Sequence, residues 1–72
     1  MMTNILFKLE TKYNVLTKSE KKIADFILKR PQKVIDMTTL DLANSTNTSP
    51  SSVVRFGYKV TDGGFQELKT EV

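Results

Sequence analysis

The chain has no cysteine, no histidine and no tryptophan among its 72 residues, and only two prolines and three glycines. Without cysteine there is no disulfide framework and no thiolate metal site. Without histidine, the commonest metal ligand and the usual general base at neutral pH are both missing. The acids do not fill the gap, because Asp25, Asp36, Asp41 and Asp62 are scattered and their spacing assembles no pair. No catalytic residue, metal site or cofactor is therefore expected. Apolar runs never exceed three residues, so no membrane-spanning helix is expected. Residues Met1 to Lys8 lack the charged start and long apolar centre of a signal peptide. The expected location is cytoplasmic.

What is present suffices for one compact domain. The apolar share is 39%, too high for a disordered tail. A chain of this size buries roughly 60% of its unfolded surface, which leaves it marginal unless it is well packed or paired. Eleven Lys and Arg against eight Asp and Glu leave a net charge of +3. That excess lies in residues 1–36, with eight basic and four acidic groups; residues 37–72 carry three and four. Nucleic-acid binding through the second half must therefore rest on residue pattern, not bulk charge. The Lys18, Lys21, Lys22 and Lys29, Arg30, Lys33 clusters suit either solvated helix surface or phosphate contact.

The periodicity predicts helices throughout, an all-α bundle of five to six. Ile5, Leu9 and Tyr13 recur every four residues and predict a helix over 4–13, with Asn14 at its end. Thr17-Lys18-Ser19-Glu20 reads as a capping box opening a second helix over 18–30, with Ile23, Phe26 and Ile27 inward. Pro31 ends it and starts a short turn whose buried contacts are Val34 and Ile35. Thr38, with Asp41 three residues on, caps a brief helix over 39–46. Ser49-Pro50 is a strong start signal for the next helix. There Val53, Phe56, Gly57 and Val60 share one face, and Ser51, Arg55 and Lys59 another. Thr61-Asp62-Gly63-Gly64 reads as a turn before a last helix carrying Phe65, Leu68 and Val72. That helix has no stop signal, so residues 1–72 are expected to be one domain of a longer protein.

Residues 39–59 have the spacing of a helix-turn-helix. Ala43 offers the small side chain that a steep helix crossing needs. Asn47 stands where the turn requires a residue tolerant of left-handed backbone. Val53 and Phe56 anchor the second helix and leave Ser49, Ser51, Ser52, Arg55 and Lys59 outside. Small hydroxyl residues at a helix start admit it deeply into a major groove, and Arg55 is able to make a bidentate contact to guanine. The same residues also fit a helical protein–protein module with a solvated serine face and Arg55 paired to Asp62.

Several segments resemble the N-terminal domain of the RpiR family of bacterial transcription regulators. They are Leu16-Thr17-Lys18-Ser19-Glu20-Lys21-Lys22-Ile23-Ala24, Asp36-Met37-Thr38 through Asp41-Leu42-Ala43, Ser49, Val53-Val54-Arg55-Phe56, Lys59, and Gly64-Phe65-Gln66-Glu67-Leu68-Lys69. The chain departs from the family pattern at Thr46-Asn47-Thr48, where Ala, Gly and Val are common. It departs again at Tyr58, commonly Lys, and at Val60-Thr61-Asp62, commonly Leu-Gly-aromatic. The resemblance implies a DNA-binding domain joined to a C-terminal sugar-isomerase-type domain that is not in this chain and that senses phosphorylated sugars. It also implies a homodimer acting on double-stranded DNA. Thr38 and Thr39 are then expected to bind phosphate, Ser49, Ser51, Ser52 and Arg55 to face the groove, and Lys59 to hold the backbone. Phe7 lies about 200° around its helix from Ile5, which marks a second apolar surface for dimerisation.

Overall fold

The computed structural model describes residues 5–72, all built from helices and connecting turns. Helix α1 is Ile5–Lys12, with a 3₁₀ turn at Tyr13–Val15. Then come α2, Lys18–Lys29; α3, Pro31–Val34; α4, Thr39–Thr46; α5, Pro50–Val60; and α6, Gly64–Glu71. The expected start of α1 at Asn4 lies outside the described residues.

Local chemistry sets most boundaries. Thr17 Oγ1 accepts from Glu20 N–H at 3.2 Å and Glu20 Oε1 accepts from Thr17 N–H at 2.8 Å. Thr38 and Asp41 repeat the box at the start of α4, both contacts at 3.1 Å. These reciprocal bonds satisfy donors that a helix start otherwise leaves open. Arg30 stops α2 because Pro31 follows it. Asn14 falls inside the 3₁₀ turn, so the end of α1 tightens before it breaks.

The core takes Ile5 and Leu9 from α1, Ile23, Ala24 and Ile27 from α2, Leu42 and Ala43 from α4, and Val53, Phe56 and Val60 from α5; Phe65 and Leu68 come from α6. Helix α5 is the hub, packed on α2, α4 and α6. All four residues expected on its inner face, Val53, Phe56, Gly57 and Val60, are buried. Two expectations are corrected. Val34 is buried but Ile35 is exposed, because α3 is a single turn and turns only one side chain inward. The last helix begins at Gly64, one residue early, and Gly64 turns the chain into it at φ 76°, a conformation open to glycine.

Helices α5 and α6 approach closely at Gly57. A Cβ on Gly57 would lie 2.5 Å from the Phe65 nitrogen. Thr61, where the sequence departs from the family, is buried. Its hydroxyl donates to the Gly57 and Gly64 carbonyls at 3.1 and 2.9 Å. That hydroxyl ties the end of α5 to the start of α6.

Candidate nucleic-acid interface

The interface is built by α4, the turn after it and α5. Asn47 has φ 56° and ψ 45°, the left-handed geometry expected of it. Its N–H and that of Thr48 both donate to the Ala43 carbonyl, the latter at 2.9 Å. This closes α4 with the double capping that a left-handed residue permits. The unusual threonines on either side accommodate one another. Thr46 Oγ1 donates to the Leu42 carbonyl at 2.7 Å and lies 2.9 Å from Thr48 Oγ1. Thr46 is buried and Thr48 half-buried, so the hydroxyl at the family's apolar position is satisfied inside the turn.

Helix α5 then starts from Ser49, whose Oγ accepts from Ser52 N–H at 3.2 Å and lies 3.0 Å from the Ser52 hydroxyl. Pro50 takes the first helical position. With about 100° per residue, the buried face of α5 centres on Val53, Phe56, Gly57 and Val60, and the opposite face on Ser51, Val54, Arg55 and Tyr58. All four outward residues are exposed. Arg55 has no ion-pair partner among the described residues, and the pairing to Asp62 does not occur.

Ser52 and Lys59 sit on the flank of α5 that faces α2. Ser52 is half-buried and lines, with Arg55, Thr17, Ser19 and Glu20, a cleft of about 290 Å³. Lys59 is exposed, and its Nζ donates to Glu20 Oε1 at 3.0 Å. Burial on its own would raise the Glu20 pKa. The Thr17 N–H and Lys59 outweigh it and hold the carboxyl below its ordinary value. Thr38 is exposed and committed to its capping box, although its hydroxyl proton remains available. Thr39 is half-buried and its side chain makes no hydrogen bond.

The structure thus brings Ser51 and Arg55 to the centre of an outward face. Ser49 lies at its lip, Ser52 and Lys59 on one flank, and Thr38 and Thr39 at the start of the preceding helix. Val54 and Tyr58 share that face and were not among the expected site residues. Their signal in the sequence is the helical phase of α5 counted from Pro50, which is independent of charge and hydroxyl groups.

Comparison with known proteins agrees with this geometry. Residues 3–72 match the family model described as the helix-turn-helix domain of the rpiR family. The HTH-type transcriptional regulator YfhH of Escherichia coli is 38% identical over 66 residues, covering 92% of this chain and 23% of that protein. HexR of Pseudomonas aeruginosa, also an HTH-type transcriptional regulator, is 31% identical over 71 residues, covering 99% of this chain and 25% of that protein. The chain therefore spans about a quarter of the length of these relatives. The crystal structure of the N-terminal domain of the Bacillus subtilis transcriptional regulator YbbH superposes with a TM-score of 0.89 at 33% identity, covering 97% of this chain and 85% of that one. A left-handed turn between α4 and α5, an outward helix face bearing an unpaired arginine, and a family match across nearly the whole chain agree: this chain belongs to the rpiR-family helix-turn-helix domains of transcriptional regulators.

Proposed function

We propose that this domain binds double-stranded DNA sequence-specifically on behalf of a sugar-phosphate-responsive bacterial regulator. The observation that carries the reading is the outward face of α5, where Ser51 and Arg55 are exposed and their side chains have no partners among the described residues. Arg55 reads a base edge, and Ser51 lets the helix approach closely. Ser49 and Ser52 at the helix start, with Thr38 and Thr39 at the start of α4, donate to phosphates. Lys59 holds the backbone from the flank, exchanging part of its contact with Glu20 for phosphate. The phosphosugar effector acts through a C-terminal domain outside this chain. Two copies pair in the cytoplasm, with Phe7, 60% exposed on α1, at the contact.

The test is duplex binding across a salt series. The logarithm of affinity is expected to fall with the logarithm of salt by about 0.9 for each phosphate neutralised, a slope of roughly −1 to −3 per domain. A chain that ignores duplex DNA, or binds it independently of salt, is a protein–protein module instead.

A further inference from the structure

Tyr58 lies near the outward centre of α5 and Val54 at the edge of that face, 65% and 41% exposed. They are four residues apart, hence neighbours one above the other on the helix surface, with Arg55 beside them. A Cβ built on Gly64 would lie 3.0 to 3.2 Å from three of the Tyr58 ring carbons, so the ring is seated against the start of α6. The result is an apolar step beside Arg55, on the face that the serine-rich start of the helix leaves open.

Folding does not account for Val54. A β-branched residue on a solvated helix face is a poorer helix former than alanine or lysine. Val54 is not needed by the core, whose contacts from α5 are Val53, Phe56 and Val60. In a major groove one base edge alone presents an apolar group, the C5 methyl of thymine. Building on the DNA-binding reading above, we propose that Val54, braced by Tyr58, selects a thymine adjacent to the base contacted by Arg55 by packing on its methyl group.

The experiment uses the 72-residue chain and duplexes that it selects from a randomised pool. Each thymine of a selected duplex is replaced in turn by deoxyuridine, which removes only the methyl. One or two adjacent positions are expected to lose affinity by about fourfold, the fold-change for one buried methyl. With Val54→Ala that loss shrinks to less than twofold. Tyr58→Ala reduces the loss in part. The proposal is overturned if no thymine is sensitive to the exchange, or if Val54→Ala retains the full sensitivity. The scan with the unaltered chain does not depend on any variant folding. Absence of salt-dependent duplex binding overturns the DNA-binding reading and this inference with it; binding without methyl sensitivity overturns only the inference.

Discussion

Gly57 lies in the middle of α5, where α6 crosses it, and Gly57→Ala tests the seating of α6 directly. Alanine favours the helix by about 1 kcal/mol over glycine. Against that, its Cβ would stand 2.5 Å from the Phe65 nitrogen, 2.9 Å from the Gly64 carbonyl carbon and 3.0 Å from the Phe65 Cα. These are backbone atoms, so no rotamer relieves the contact. The start of α6 must retreat by about 1 Å to reach ordinary van der Waals distance. Retreat stretches the Thr61 hydroxyl bond to the Gly64 carbonyl and loosens Phe65 and Leu68 from the core. Overpacking of this kind costs about 3 kcal/mol, the upper end of its usual range, because backbone is what must move. The net loss is about 2 kcal/mol after the propensity gain. In a domain of this size that lowers Tm by roughly 8–16 °C. Thermal melts followed by circular dichroism measure it, with Ser51→Ala on the exposed face of the same helix as the near-neutral control. Ser51 and Arg55 lie more than 100° around α5 from Gly57, so duplex binding well below Tm is expected to survive. A Gly57→Ala protein melting at or above the parent temperature would refute the close approach of the two helices.

Arg55→Ala is expected to cost about 1–3 kcal/mol on a selected duplex and much less on random DNA; equal losses in titrations of the two would reduce Arg55 to a phosphate contact. Asn47→Gly is expected to be neutral or mildly stabilising and Asn47→Val to destabilise by about 1–2 kcal/mol, measured by urea unfolding, because the position is left-handed. Phe7→Glu is expected to dissociate a dimer seen by sedimentation at high micromolar concentration; a dimer unaffected by the change places the interface elsewhere, and a monomer in both proteins removes α1 pairing from this domain. The Glu20 carboxyl titrates below its ordinary value when folded, so its contribution is fully present above about pH 4.5 and is lost as pH falls through the lower folded value. Glu20→Gln is expected to lower Tm near neutral pH and to flatten its fall in acid, as melts across the acid range will show.

The amino-acid sequence alone determined the helices, the starts of α2, α4 and α5, and the turn between α4 and α5. Each of these depends on groups within about four residues of one another: Thr17 with Glu20, Thr38 with Asp41, Ser49 with Ser52, and Asn47 with Ala43. The inner face of α5 was legible for the same reason, since four apolar or small residues at helical spacing define it without knowledge of what they touch. Only the tertiary structure decided what lies across the chain. Lys59 finds Glu20, 39 residues away, while Arg55 lies within the same helix and finds no ion-pair partner among the described residues. Nothing local distinguishes these two cations. The packing of α2 along one flank of α5 does so, bringing the Glu20 carboxylate to Lys59 and leaving Arg55 exposed. Ile35 turned outward because a one-turn helix has no periodicity to choose its face, and the neighbours of Val34 chose it. The contact of Gly57 with the backbone of α6 is of the same kind: its glycine is visible in the chain, but the helix that requires it arrives only by folding.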